Sequence, residues 1–326
     1  MRAVLIFNPT SGISTVTTKA MTPEETEEAI VAALSSYDID VEVYHTSPED
    51  TGQGLSTRAA DDQTELVIAA GGDGTVHAVA KGLIGRHSTL GIIPTGTMNN
   101  LARSLGIPET VEEACEVIAR GETRAIDAGD ANGHVFFEVA GLGLEADLFP
   151  IGEEIKAPGL LSTLRGIIQG LVTALTFKPP RLSISFDERR RRPYHAIQVT
   201  ICNAPFYGPH FQVVPHVLMD DGLLDVIVYK NFSKLEFIRH GISITQGRRV
   251  YQPKITHRKV KSLRISTEQP MEVMVDGEIQ GQTPVTVTSI SAALRVRVPG
   301  VKAPGLHAEK DIVESSAQLR TSSGLV

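Results

Sequence analysis

The residues able to do chemistry gather in glycine- and hydroxyl-rich stretches, each following a short apolar run. The densest is Leu66-Val67-Ile68-Ala69-Ala70 entering Gly71-Gly72-Asp73-Gly74-Thr75, with a helical pattern from Val76 to Leu83 behind it. This order puts a glycine-rich turn at the carboxyl end of a parallel strand and at the positive end of a helix. Glycines there let backbone approach a phosphate chain, free amides bind its oxygens, and an aspartate can hold magnesium or orient a reacting hydroxyl. One strand later, Leu90-Gly91-Ile92-Ile93-Pro94 enters Thr95-Gly96-Thr97-Met98-Asn99-Asn100, with Leu101, Ala102 and Leu105 at helical spacing. A third stretch, Asn8-Pro9-Thr10-Ser11-Gly12, follows the first apolar run. One such turn is ordinary punctuation. Three of them, after three parallel strands, point to a polyanion such as a nucleoside triphosphate. Neither a Gly-x-x-x-x-Gly-Lys-Ser/Thr loop nor a Gly-x-Gly-x-x-Gly fingerprint is present, which disfavours the P-loop and dinucleotide modes.

Two acidic turns read two ways. Leu218-Met219-Asp220-Asp221-Gly222-Leu223 suits an oxygen-ligand loop for a hard cation, but Asp-Gly is equally a hairpin signal. Met274-Val275-Asp276-Gly277-Glu278 carries the same ambiguity, a strand ending in an acidic turn. Phosphoryl transfer to an alcohol needs a proton acceptor and a metal to neutralise charge on the γ-phosphate, and an ionised carboxylate suits the first role. The histidines, among them His45, His77, His195, His210, His216 and His257, show no paired metal spacing, and Cys115 and Cys202 signal neither a zinc site nor a disulfide framework.

The elements that must position these residues change character along the chain. Up to about Ile126, the runs Val4–Phe7, Val41–Tyr44, Leu66–Ala70 and Leu90–Ile93 alternate with helical patterns, the grammar of a parallel sheet covered by helices. Thr22-Pro23-Glu24-Glu25 reads as a capping box with proline at the first helical position. After Asp127 the segments become β-rich: Val135–Ala140, Leu182–Phe186, Ala196–Cys202, Leu224–Tyr229, Leu263–Ser266, Met271–Val275, Val285–Thr288 and Leu294–Val298, with helices expected only at Leu160–Thr176 and Lys234–Gln246. The expectation is an α/β domain over residues 1–126, a mostly antiparallel β-sandwich over 127–289, and a mobile tail over 303–326.

In combination and order these motifs resemble the diacylglycerol kinase catalytic-domain family, in particular its bacterial soluble lipid kinases. The resemblance rests on Asn8–Gly12, Thr46, Gly71–Thr75, Pro94–Asn99 with Leu101-Ala102-Arg103, Asp220–Asp225 and Asp276–Glu278, and it runs to about Gly300. It implies a nucleotide domain of the NAD-kinase and phosphofructokinase type, to which a last strand near 290–302 returns, and a β-sandwich that takes the lipid. ATP would be bound by Asn8, Pro9, Thr10, Ser11, Gly12, Thr46, Gly71, Gly72, Asp73, Gly74, Thr75, Val76, His77, Thr97 and Asn99, with Asp73 close to the magnesium-bound phosphates. A second magnesium would sit on the Leu218 and Leu223 carbonyls and the Asp221 carboxylate. Glu278 would be the base and Asp276 its metal or network partner, or the two would exchange roles. Asn100 departs from the family pattern, which has aspartate there, and an amide weakens any cation contact at that point.

The implied activity is transfer of the γ-phosphate of ATP to a lipid hydroxyl, with diacylglycerol first, a sphingosine-like or other hydroxylated lipid second, and a non-catalytic nucleotide sensor third. The chain has 31 basic and 38 acidic residues, a net charge of −7, so an overall basic nucleic-acid footprint is absent. At 41% hydrophobic and 21% charged, the composition is that of a globular protein. The longest apolar stretch, Gly159–Phe177, is broken by Ser162, Arg165 and Gln169, whereas a spanning helix needs about 20 predominantly apolar residues. A cytoplasmic protein visiting the inner face of the membrane is the expectation, with a homodimer as a possible assembly. Two segments could meet that membrane: the Arg189–Arg192 cluster, otherwise a solvated hairpin tip, and the leucine stripe of Leu160–Leu175, otherwise a core helix.

Overall fold

The computed structural model describes residues 1–11, 21–144, 146, 176–208, 211–212, 216–245, 254–300 and 304–306. Gly12, His210 and all but the last residue of the expected helix Leu160–Thr176 lie outside the described residues. The chain forms two compact units, one of residues 1–127, 218–221 and 291–326, the other of 128–217 and 222–290.

Unit 1 alternates β1 (Arg2–Phe7), α1 (Pro23–Ser35), β2 (Asp40–His45), α2 (Gln53–Asp61), β3 (Leu66–Gly71), α3 (Asp73–Leu83), β4 (Thr89–Pro94), α4 (Asn100–Ser104) and α5 (Val111–Arg120). Its strands are parallel in the order β2-β1-β3-β4, and the last residues of a later strand add beside β4 through Arg295 and Val296. The step from β1 to β2 runs one way across the sheet, and the steps to β3 and β4 run the other. Right-handed crossovers therefore put α1 on one face and α2 and α3 on the opposite one. The packing agrees, α1 lying on α5 and α2 on α3. With both faces covered, all six residues of β3 are buried, as its unbroken apolar run requires. Thr22 and Glu25 close the expected capping box on α1, whose Ile30 and Leu34 are fully buried, worth roughly 1.5–3 kcal/mol each. The direction change leaves a crevice at the carboxyl ends of β1 and β3, where sheets of this kind take ligands.

Unit 2 is antiparallel. After β5 (Glu122–Ala131), within which the chain passes from one unit to the other without a linker, come β6 (His134–Phe136), β7 (Val139–Gly143), β8 (Arg181–Phe186), β9 (Arg192–Cys202), β10 (Phe206–Tyr207), β11 (Phe211–Gln212), β12 (Leu224–Lys230), α6 (Lys234–Thr245), β13 (Ile255–Val260), β14 (Ser262–Thr267), β15 (Glu272–Val275), β16 (Glu278–Gln282) and β17 (Val285–Val298). One sheet runs β16-β15-β7-β9-β12-β13, and the other runs β9-β8-β14 into the first residues of β17. Strand β9 serves both, pairing β8 through residues 192–195 and β7 through 198–202. Leu182, Ile184, Val199, Ile201, Val226, Val228, Leu263 and Ile265 fill the layer between the sheets. Ile227 and Tyr229, on the other face of β12, pack with Val217 and Phe232.

Three expectations change. The run Val135–Ala140 is two strands, broken at Phe137-Glu138. Val285–Thr288 and Leu294–Val298 are one strand, irregular at Ala292, where φ is +50° and the N–H leaves the ladder to donate to the Asp127 carboxylate at 2.8 Å. Of the expected tail, residues 304–306 are packed: Gly305 N–H donates to Ser104 O (2.8 Å), Gly305 O accepts from Met219 N–H (2.6 Å), and Leu306 is buried. An isolated apolar residue among polar ones gives too little periodicity for that contact to be foreseen. The rest of 303–326 lies outside the described residues.

Candidate active site

In unit 1 the three loops converge through side chains that each sequence run supplies. Asn8, just past β1, donates from Nδ2 to Thr75 Oγ1 (2.8 Å) and accepts from the Thr10 N–H and hydroxyl at Oδ1 (2.9 and 2.8 Å). Ser11 Oγ donates to Asn8 O (2.9 Å) and lies 2.7 Å from Thr95 Oγ1. Thr95 N–H donates to Gly71 O (3.0 Å), joining the loops after β3 and β4. Glycine faces glycine across these two loops. A Cβ on Gly96 would lie 2.5 Å from Gly72 Cα, and one on Gly71 would lie 2.5 Å from Thr75 Cβ. A side chain at Gly96 would force the two loops apart, and one at Gly71 would strike Thr75 in the first turn of α3.

Helix α3 begins here without a cap. Gly72 gives no side-chain acceptor, so the Asp73, Gly74 and Thr75 N–H groups, which precede the first intrahelical bond at Val76, stay open to a ligand. By contrast, Thr22 caps α1, Thr110 caps α5, and Asp50 accepts from Gly52 and Gly54 at the start of α2. An uncapped positive helix end is an anion site. Gly74 is exposed, and a Cβ placed on it would meet no protein atom within 4 Å. Asp73 Oδ1 accepts the Asn100 N–H (2.8 Å), so this carboxylate caps α4 while standing in the first turn of α3. Its ligand atoms and those of His77, one turn on, lie within 4.8 Å. Asn99, left-handed at φ +49°, exchanges two bonds with the Gly96 backbone (3.0 and 2.9 Å) and shapes the third loop.

Thr10 and Thr97 are exposed and Pro9 is half-buried. Thr46 follows β2 with its N–H on Phe7 O (3.0 Å). Val76 and His77 are buried in α3, so Val76 offers a ligand nothing from its side chain. Sequence reasoning left Thr95 and Gly96 out of the candidate set, although Thr95 is the hub of two loops and Gly96 is needed for the third. Their signal was the small-residue pattern of the loop itself.

The first acidic turn is held by unit 1. Asp220 is paired to Arg124 (2.9 Å) with side-chain exposures of 8% and 17%, and Met219 O accepts the Asp127 N–H (2.5 Å). With Asp220 paired, Asp221, half-buried, is the turn's second carboxylate, ahead of Gly222 at φ +72°. Leu218 and Asp221 belong to unit 1 and Leu223 to unit 2. Within unit 1, the Leu218 carbonyl and the Asp221 carboxylate are oxygen donors of the kind a hard divalent cation takes.

The second acidic turn lies in unit 2. Asp276 and Gly277, at φ +45° and +87°, form the tight turn of the β15–β16 hairpin, with Val275 paired to Glu278. The Asp276 carboxylate accepts three successive backbone N–H groups, from Phe137 (2.9 Å), Glu138 (3.0 Å) and Val139 (2.9 Å). Asn203 completes the clamp, its side chain donating to Phe137 O (2.9 Å) and its N–H to Glu138 O (2.8 Å). This clamp is why the Val135–Ala140 run breaks. It also separates the two carboxylates: Asp276 is bound into the backbone, whereas Glu278 is exposed and accepts from Gln280 Nε2 (2.7 Å).

Comparison with known proteins gives two successive matches along the chain. The diacylglycerol kinase catalytic domain matches residues 2–131, and the YegS C-terminal NAD kinase beta sandwich-like domain matches 143–298. A diacylglycerol kinase of Bacillus subtilis is 29% identical, covering 94% of this chain and 99% of that one. An uncharacterized Synechocystis protein is 30% identical over 90% of this chain and 70% of its own. The crystal structure of a diacylglycerol kinase from Bacillus anthracis superposes with a TM-score of 0.70 at 25% identity, covering 91% of this chain and 96% of that one. The chain belongs to the diacylglycerol kinase catalytic-domain family and is a phosphotransferase of that class.

Proposed function

We propose that this family member is an ATP-dependent, magnesium-requiring lipid kinase that phosphorylates a lipid hydroxyl, with diacylglycerol as acceptor and phosphatidic acid as product. The observation that carries the reading is the convergence of three glycine and hydroxyl loops on the uncapped start of α3. The open N–H groups of Asp73, Gly74 and Thr75 bind phosphate oxygens, and Thr10 and Thr97 add exposed hydroxyls. Asp73 uses one oxygen on the Asn100 N–H, and its other oxygen would take a phosphate-bound cation. The Leu218 and Leu223 carbonyls and the Asp221 carboxylate would hold a second. When bound, magnesium neutralises charge developing on the transferred phosphoryl group.

The lipid oxygen forms a bond to the γ-phosphorus as the bond to the β,γ-bridging oxygen breaks, and its electron pair leaves with ADP. Glu278 takes the hydroxyl proton, because its carboxylate is exposed while that of Asp276 is spent on three backbone donors. Asp276 is the positioning residue that fixes the hairpin.

The test is transfer of labelled γ-phosphate from ATP with magnesium to micelles holding diacylglycerol, sphingosine, ceramide or an undecaprenol, with Asp73→Asn as the blank. Labelled phosphatidic acid is expected. Glu278→Gln should retain ATP binding and lose roughly 100- to 10,000-fold in turnover. Full turnover in that variant removes Glu278 from the reaction, and no labelled lipid despite ATP binding overturns the kinase reading.

A further inference from the structure

Four arginines in a row, Arg189–Arg192, run from the turn after β8 into the first residue of β9, and folding adds further charge to them. Asp187, at φ +46°, donates its N–H to Ser262 O (2.9 Å), and its carboxylate accepts the N–H groups of Lys261 (2.8 Å) and Ser262 (3.1 Å). The hairpin tip is thereby pinned to the β13–β14 turn. Ser185 Oγ bonds Arg189 O, and the Arg189 N–H donates to Phe186 O (2.9 Å). The Arg258 guanidinium lies 5.4 Å over the Phe186 ring. Residues 71 positions apart in sequence, Arg190 and Lys261, thus share one end of unit 2.

The cations there outnumber the carboxylates. Arg189, Arg190, Arg191, Arg192, Arg258 and Lys261 are all exposed. Among the described residues, none of them has a carboxylate within ion-pair distance. Of the two nearby carboxylates, Asp187 is occupied by backbone donors, which leaves Glu188 as the counter-charge on the tip. A chain of net charge −7 therefore carries six cations at one end of one unit.

We infer that this end of unit 2 is a docking face for an anionic bilayer surface. The inference rests on the lipid-kinase reading, in which the acceptor sits in a membrane. Guanidinium groups pair bidentately with phosphate headgroups, and clustered basic side chains are held by anionic lipid. A single-stranded nucleic acid would require aromatic rings to stack on. Here Phe186 is buried, and Tyr194, half-buried and packed against the core, meets it edge-on at 6.2 Å. The face offers charge on long stems and no stacking platform.

The experiment compares the full chain with its Arg189→Ser/Arg190→Ser/Arg191→Ser variant in flotation with phosphatidylglycerol–phosphatidylcholine vesicles, at low and physiological ionic strength. Pure phosphatidylcholine vesicles and a single-stranded oligonucleotide are parallel probes. The parent should bind only the anionic vesicles and weaken with salt. The variant should bind about fivefold more weakly per charge removed, on the order of 100-fold in all, and should phosphorylate a short-chain, water-soluble acceptor as fast as the parent. Equal vesicle binding by parent and variant overturns the inference, as does preference for the oligonucleotide. Vesicle binding that the variant loses supports the docking face even where no lipid is phosphorylated, so this reading and the kinase reading fail separately.

Discussion

Gly74→Ala should make the protein more stable and a worse enzyme. Gly74 stands in the first turn of α3 with helical backbone, and an added Cβ meets no protein atom within 4 Å. Replacing glycine by alanine in a helix gains up to about 1 kcal/mol, which raises the melting temperature by roughly 2–4 °C. The same methyl enters the space in front of the open N–H groups, where a phosphate would approach backbone. Overpacking of that kind costs about 1–3 kcal/mol, a rise in KM for ATP on the order of 10- to 100-fold. Gly96→Ala is the contrast, since its Cβ would stand 2.5 Å from Gly72 Cα and 2.9 Å from Asn99 Oδ1. It should lose stability and activity together. Thermal melts with and without ATP and magnesium, beside steady-state kinetics, measure both. A Gly74→Ala protein with unchanged KM for ATP would refute the phosphate cradle, and one that melts lower would refute the account of the open space.

Asp276→Asn puts an amide NH2 against one of three backbone donors and removes a charge-assisted acceptor, so unit 2 should lose about 2–4 kcal/mol by denaturant melt; an unchanged midpoint contradicts the clamp. Arg124→Met removes the cation beside largely buried Asp220 and should cost about 3 kcal/mol, partly restored by adding Asp220→Asn; no restoration would show that the arginine acts by packing. Burial pushes the Cys115 thiol up to about 12, so iodoacetamide at pH 8 should label it only in denaturant, and rapid labelling of native protein would contradict its burial. The Lys254 ammonium at 2.7 Å, with the Ser233 N–H, lowers the Glu236 carboxyl from 4.5 to about 2. A depressed folded value contributes stability above the ordinary value and loses it as pH falls through the folded one. The stability difference between the parent and Lys254→Met should therefore shrink between pH 5 and pH 2, and a constant difference would assign Lys254 to its contact with Phe232 instead.

Unit 1 was legible because its signals are local. Unbroken apolar runs mark strands covered on both faces, Thr22-Pro23-Glu24-Glu25 marks a helix start, and glycine beside hydroxyl residues marks where backbone must approach a ligand. Unit 2 was legible as β-rich but not strand by strand. The break at Phe137-Glu138 depends on a carboxylate 139 residues away, at Asp276, which no window around the break contains. Strand β13, Ile255–Val260, was missed because its Thr-His-Arg-Lys stretch, exposed from His257 to Lys259, lacks an apolar alternation and is a strand only by pairing with β12.

The residues that do the proposed chemistry, and their order, were determined by the sequence: glycines, hydroxyls and carboxylates at the ends of apolar runs can be read one loop at a time. Their division of labour was not. That Asp276 holds backbone while Glu278 stands exposed, that Asp220 is paired to Arg124, that Thr95 joins two loops, and that Lys261 and Arg258 stand with Arg189–Arg192 are decided only in the folded chain. The reason is physical. A side chain's donors and acceptors are intrinsic to its type, but whether they are spent on the protein or left for a ligand depends on which distant backbone groups folding brings to them.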